Sequence, residues 1–364
     1  MVKRLSIALL LLAAAAHAET FRFFGSGGAE TQLTPANGAS PLNPGNIGNV
    51  PYRTNVGDIT TFTELMPENR AWKVRLKVRG DASDQSTDQV RINEGFLQLN
   101  LRPWLDVTIG RVIEKWGTAY AWNPTAFVSP KKNPTDPNDR RSSYRGLDMI
   151  KADVFVRGTN VSLYAMERGA FAARAYRLIA NTDVSLHFRH DRGFDREGLS
   201  VARVFGDALE LHGEVAHFAA HPGRSYIQAV IGGQYTFRNN INVVLELYHG
   251  GDGMSGAQWR SFSGRVDRGD LLFGNSVYAP LQMGRDYSFA RFDIPWDESK
   301  NDLEIIGIAN LRDRSSLARI TFTRKIRPNL SAYAIETEFF GAADSEFAYI
   351  QVKRATTFGA RYYF

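Results

Sequence analysis

Cysteine is absent from the 364-residue chain. That excludes disulfides, thiol catalysis and zinc held by thiolates, so stability has to come from a large core, close packing or a closed hydrogen-bond ladder. Long apolar runs are scarce as well. The one present, at residues 5–16, follows Lys3 and Arg4 and ends in Ala16-His17-Ala18. A positive start, a short apolar core and a small-x-small end mark a secretory signal peptide, predicted as residues 1–18 with a mature chain from 19 to 364. The run falls short of the ~20 residues that a membrane-crossing helix wants. Nothing comparable follows it, which excludes a helical membrane protein. An excess of one charge sign is also lacking: 44 Lys and Arg stand against 38 Asp and Glu. Such a balance identifies no partner by itself and gives no sign of nucleic-acid binding.

What the chain does have is alternation. Trp72, Val74, Leu76 and Val78 interleave with Lys73, Arg75, Lys77 and Arg79. A helix would scatter those charges, whereas a strand puts the cations on one face and the apolar residues on the other. The theme returns with Lys151 and Arg157 among Ile150, Ala152, Val154 and Val156, and with Glu210 and Glu214 among Leu209, Leu211 and Val215. It returns again around Arg189, Glu246 and Arg319. Charges at so many strand centres need one face in water and the other in an apolar medium. A closed barrel in lipid meets that demand, because every backbone group must pair within the membrane.

The predicted fold is therefore all-β: a transmembrane antiparallel barrel of about 18 strands, with 16 as the alternative, forming one domain over residues 19–364. The strands are predicted near 19–33, 57–65, 71–81, 89–101, 104–113, 147–157, 160–168, 171–180, 182–190, 197–206, 208–218, 224–237, 241–250, 284–293, 301–311, 314–325, 328–341 and 353–364. Short turns alternate with long polar segments, notably 114–146 and 250–284, and this asymmetry puts both termini on the short-turn side. The last strand carries Phe358, Tyr362 and Phe364 on one face, a pattern similar to the signal read by the barrel-assembly machinery.

Alternation also predicts the lumen. Inward cations are Lys73, Arg75, Lys77, Arg79, Lys151, Arg157, Arg189, Arg319 and Arg361. Inward anions are Asp106, Asp183, Glu210, Glu214, Glu246, Asp302, Glu304, Glu336 and Glu338. Cations on an early strand and acids on later ones make a transverse field that sorts ions. Four like charges within eight residues repel unless something relieves them, so Lys73 to Arg79 are the leading candidates for selectivity. The segment 114–146 carries Trp116, Lys131, Lys132, Arg140, Arg141 and Arg145, and reads either as a constriction folded into the pore or as an outer loop over the mouth, near lipopolysaccharide phosphates. Arg111 reads as lipid-facing by simple alternation. It turns inward if Gly110 makes a bulge, and reaches the headgroups otherwise.

The stretch Asn93-Glu94-Gly95-Phe96, then Gly110-Arg111, Trp116-Gly117 and Asn123-Pro124 resembles a poorly characterised group of proteobacterial outer-membrane porins. The match covers about residues 90–125. It implies a channel rather than an enzyme; the expected path is for small polar solutes across the outer membrane of a Gram-negative bacterium, and the basic ladder at 73–79 with the basic segment 114–146 predicts a preference for anions. The implied partners are membrane lipid, lipopolysaccharide and the assembly machinery, and a homotrimer is one option. Catalytic patterns are missing. His187, His190, His212, His217, His221 and His249 form no metal-binding doublet with a third ligand, and no Gly-x-Ser-x-Gly elbow occurs. No enzyme activity, cofactor or metal is expected; the rival reading is a barrel hydrolase or an assembly or adhesion scaffold, the hydrolase using a cross-strand Ser–His pair at His187 or His212.

Overall fold

The computed structural model describes residues 20–220 and 223–364. The predicted signal peptide, 1–18, lies outside the described residues, as does His221. Eighteen strands follow in order: β1 (Thr20–Leu33), β2 (Arg53–Met66), β3 (Trp72–Ser83), β4 (Ser86–Arg102), β5 (Leu105–Val112), β6 (Leu147–Val156), β7 (Thr159–Met166), β8 (Phe171–Ile179), β9 (Thr182–Asp191), β10 (Phe194–Phe205), β11 (Leu209–Ala220), β12 (Arg224–Thr236), β13 (Asn242–Gly250), β14 (Asp286–Trp296), β15 (Asn301–Asn310), β16 (Ser316–Arg327), β17 (Leu330–Phe340) and β18 (Arg354–Tyr363). Each pairs antiparallel with its sequence neighbours, and β1 closes the sheet on β18 from Ser26↔Tyr363 to Leu33↔Thr356. Closure leaves no strand edge unpaired, which lipid demands and a chain without disulfides can use.

The two faces separate as alternation requires. Leu163, Leu186, Leu211, Ile231, Leu245, Ile320 and Phe358 stand exposed on the outer face. Their neighbours Ser162, Ser185, His212, Val230, Glu246, Thr321 and Thr357 are buried on the inner one. Ile231, at the middle of β12, is 66% exposed, so it is expected to meet lipid. Ile231→Arg should then destabilise folding into bilayers by about 2–4 kcal/mol, the cost of a cation near the midplane. Urea titrations in liposomes measure this, and unchanged stability would place Ile231 away from lipid.

All the long connections lie at one end: 34–52, 113–146, 251–285 and 341–353. The other end has only tight links such as 157–158 and 328–329, and it carries both strand termini at Thr20 and Tyr363. The long polar segment at 250–284 contains two helices, α1 (Gly256–Asp267) and α2 (Leu271–Val277). A signal for the first was present: Ser255 and Gln258 form a capping box, with the Ser255 hydroxyl accepting from the Gln258 N–H at 3.3 Å and the Gln258 side chain accepting from the Ser255 N–H at 2.7 Å. Leu42, Phe262, Val266, Met283 and Tyr349 pack three of the long loops together over the barrel mouth. Glu346, 1% exposed, ties them down by accepting from Tyr287 Oη at 2.8 Å, Asn310 Nδ2 at 2.7 Å and the Leu281 N–H at 2.7 Å.

Candidate functional site

The connection 113–146 does not stand over the mouth; it is drawn into the lumen and pinned to the inner wall nearly all the way round. Near its start Trp116, 1% exposed, packs edge-on against Tyr164 of β7 with ring centroids 5.2 Å apart and lies 5.0 Å from the ring of His187 on β9. Its indole N–H donates to Tyr164 Oη at 3.2 Å. The chain then reaches β11 and β13, where two inward carboxylates receive its backbone. Glu214 accepts from the N–H groups of Thr118 (2.5 Å), Ala119 (2.7 Å) and Thr125 (3.0 Å), and from the Thr125 hydroxyl at 2.7 Å. Glu246 accepts from Tyr120 and Ala121, the latter at 2.9 Å. His212 braces this anchor, with Nε2 2.8 Å from Glu246 and Nδ1 3.0 Å from Glu210. Charge-assisted bonds from a desolvated carboxylate to N–H groups are among the stronger ones a loop can make.

Two glycines permit so close an approach. Gly117 has φ of +86°, and a side chain there would meet the Glu214 carboxylate at 2.7 Å. A side chain on Gly198 of β10 would meet Thr125 at 2.9 Å and Phe127 at 3.1 Å. Beyond Ala121 an apolar seam holds the loop: Trp122 stacks on Tyr248 at 4.9 Å and sits beside Tyr287 and Phe289, with Ile306 and Ile308 behind. This inner wall is apolar where alternation predicts a wet face, because it meets the loop rather than water.

The return path crosses to the other wall. Arg319 donates to the Thr135 carbonyl at 2.6 Å. Arg140 lies 4.7 Å over the Tyr333 ring. Arg141 reaches Asp58 at 3.0 Å, Glu30 at 3.3 Å and Asp81 at 3.7 Å. Asp58 is also shared by Arg79 (3.2 Å) and Arg361 (2.7 Å), and Arg79 donates to the Arg141 carbonyl as well as pairing with Asp81 at 2.5 Å. Asn93, extruded where β4 slips register against β3, then bonds Ser143 and Gly146 and steers the chain into β6. Arg79 is 1% exposed, so Arg79→Gln leaves Asp58 and Asp81 partly unanswered. Such a broken buried pair is expected to destabilise the protein by about 3–5 kcal/mol. Denaturant unfolding of the detergent-solubilised protein reads this, and a loss below about 1 kcal/mol, the range of a surface pair, would show the cluster to be dispensable.

Most residues picked from alternation do face inward, but their partners differ from a simple ladder. Arg75 pairs with Glu94 at 3.0 Å. Lys73 lies 5.6 Å over Phe96 and Lys77 5.4 Å over Phe62, with no carboxylate within 4.0 Å among the described residues. Lys151 pairs with Glu114 (2.9 Å) and Asp153 (3.0 Å), and Arg189 with Asp191 (2.9 Å) while donating to the Phe127 carbonyl at 2.5 Å. Lys131 and Lys132 lie inside on the loop, bonded to Gln282 and the Ala119 carbonyl.

One placement decides between two readings, and three correct the expectation. Arg111 stays on the outer face of β5, pairing with Asp148 across the ladder at 2.5 Å: Gly110 takes φ of +135° without flipping its successor inward. Arg157 sits in the β6–β7 turn at φ of +50°, outside the lumen, because β6 ends at Val156. Arg145 is exposed at the rim, where the loop has already climbed out of the barrel. Glu336 and Glu338 register with Ile320 and Ala318 on the outer face near the mouth, while Ile335 and Tyr333 fill the inner positions.

A cross-strand Ser–His pair does occur. His187 Nε2 lies 2.9 Å from Ser200 Oγ. Both are buried, Trp116 covers the ring, and among the described residues His187 Nδ1 has no hydrogen-bond partner to orient it. A nucleophile needs both access and an oriented base, and this buried pair has neither among the described residues.

No protein-family description matches this chain, and no curated protein matches it in sequence. Solved structures do match in shape. A chain from work on asymmetric conductivity of engineered proteins superposes with a TM-score of 0.53 at 11% identity, over 95% of this chain and 100% of that one. Two substituted variants of the porin of Rhodopseudomonas blastica, one with an introduced tryptophan and the other with an introduced lysine, each superpose with a TM-score of 0.52 at the same identity and coverage. The closed antiparallel barrel of this chain is thus similar to the outer-membrane porin fold.

Proposed function

We propose that the barrel is a passive channel for small polar solutes, with a preference for anions, in the outer membrane of a Gram-negative bacterium. The observation that carries this reading is the 113–146 loop, anchored by Glu214 and Glu246 inside a lumen lined with charge. A structural plug would need no charged wall facing it, whereas a loop pinned around a charged wall narrows a path and tunes it. Lys73 supplies lumen charge with no carboxylate within 4.0 Å among the described residues, which supports anion preference. The Gly110-Arg111, Trp116-Gly117 and Asn123-Pro124 segment supports kinship with the poorly characterised porin group, since Trp116 and Gly117 begin the inward turn of the loop.

Reconstitution into planar bilayers tests the reading. Discrete ohmic steps with a reversal potential on the anion side are expected, and the absence of conductance and of liposome solute flux would overturn it. On the outer face Phe358, Tyr362 and Phe364 suit a signal for the assembly machinery. A chain lacking Phe364 is expected to reach the membrane in smaller amounts, read by heat-modifiable gel mobility; equal yield would remove that role. Lipopolysaccharide and membrane lipid are the surrounding partners in this reading, and sedimentation of the purified protein decides between a homotrimer and a monomer.

A further inference from the structure

Between the loop and the upper inner wall of β10–β13 lies a cavity of about 640 Å³, floored by the loop and bounded above by the base of the 251–285 connection. Its volume falls in the range of sites for small organic molecules. Trp122 and Phe127 line it from the loop, and Phe218, Tyr226 and Tyr248 from the barrel. We propose that this cavity is a binding site for a small organic anion with a flat apolar body, an aromatic carboxylate being the simplest case. The proposal rests on the channel reading in that it makes this cavity a station on the solute path.

The charge argument is local. Lys131, Lys132 and Arg196 line the cavity against a single carboxylate, Asp252. Arg196 already pairs with Asp191 at 2.8 Å, and Asp252 accepts from Gln228 at 2.9 Å. Each lysine ammonium makes one hydrogen bond to a neutral oxygen, Lys131 to Gln282 Oε1 at 2.7 Å and Lys132 to the Ala119 carbonyl at 2.5 Å. Neither forms an ion pair within 4.0 Å among the described residues. Burial pushes both below the ordinary lysine range, opposed by Asp252 for Lys131 and by Glu214 and Glu246 for Lys132, with Lys115 adding to the depression of Lys132. Glu214 and Glu246 are already committed to the loop backbone. An arriving carboxylate would find two ammonium groups with protons to spare, Lys131 exposed and Lys132 half-buried, an arrangement suited to a charge-assisted contact.

The apolar argument is independent of charge. Phe218 and Tyr226 stack at 4.8 Å, and Trp122 stacks on Tyr248 at 4.9 Å, so rigid ring pairs stand on the wall beside the lysines. Inorganic ions have no use for such walls; a ring or other flat apolar body does, by burial and by offset stacking.

Tryptophan fluorescence of the full-length protein tests the site, because Trp122 lies in its wall. Benzoate should quench saturably, while acetate (charge without ring) and benzyl alcohol (ring without charge) bind at least about tenfold more weakly, a tenfold step being the worth of one good contact. The double variant K131Q/K132Q should weaken benzoate by about tenfold or more. Lys131→Glu, at an exposed position, gives the same loss should the double variant fold poorly. Wild-type affinity in either variant, or equal affinity for acetate and benzoate, overturns the proposal. Conductance measured in parallel keeps the two readings apart. A conducting protein that ignores benzoate would sink the site and leave the channel; saturable benzoate binding without conductance would sink the channel and leave the site.

Discussion

Replacing Glu214 and Glu246 together by glutamine should free the internal loop and raise single-channel conductance by about twofold or more, with added open-state noise. Both oxygens of each carboxylate accept from the loop, so an amide at either position turns an NH₂ donor against backbone N–H groups. Each hydrogen bond to a charged acceptor is worth roughly 1.5–3 kcal/mol. Segments of local structure open at free energies far below global unfolding, so losing several such bonds is enough to populate the detached loop. The seam of Trp122 against Tyr248, Tyr287 and Phe289 resists this release, and Trp122→Ala added to the pair should enlarge the effect. Planar-bilayer recording with a neutral-polymer exclusion series measures both conductance and bore. An unchanged conductance and exclusion limit would mean that the loop is not the constriction.

The second large effect concerns selectivity. Under a tenfold KCl gradient an ideally selective pore reads about 59 mV in magnitude, and the wild type is expected on the anion side of zero. Neutralising Lys73 and Arg75 to glutamine should bring the reversal potential towards zero or across it, because Glu94 would lose Arg75, its partner at 3.0 Å, and add its own negative charge to the lumen; Lys77, buried at 5% exposure, is left in place. Arg79 is left in place: it is buried with Asp58, Asp81 and Arg141, and its removal would test the fold rather than the pore. A reversal potential that does not move would locate selectivity elsewhere, with the loop lysines next in line.

The barrel was legible because side-chain period two survives in each strand whatever its partner. Lys73 to Arg79 could face only water while Trp72 to Val78 faced lipid, and the same logic recovers strands over all eighteen observed ranges. It fails where the inner face does not meet water. Ile306, Ile308, Tyr287 and Phe289 point inward yet are apolar, since the loop covers them. In β17 charge misleads as a mark of the inner face: Glu336 and Glu338 lie outside, and Tyr333 and Ile335 occupy the inner positions. Arg111 shows the converse: an outward cation is tolerated near the mouth when Asp148 answers it across the ladder.

By itself, then, the sequence determined the two alternating faces of the strands and which end bears the long loops, because those depend on neighbours two residues away and on turn chemistry, and it narrowed the strand count to eighteen or sixteen. The place of the 113–146 loop depends on Glu214 and Glu246, 89 to 126 positions distant from the groups they hold, and on Asp58 gathering Arg79, Arg141 and Arg361 from three parts of the chain. Only closure of the barrel brings those residues together, and so only the tertiary structure decided whether the loop would cover the mouth or enter the lumen, and where Lys131 and Lys132 would meet an aromatic wall.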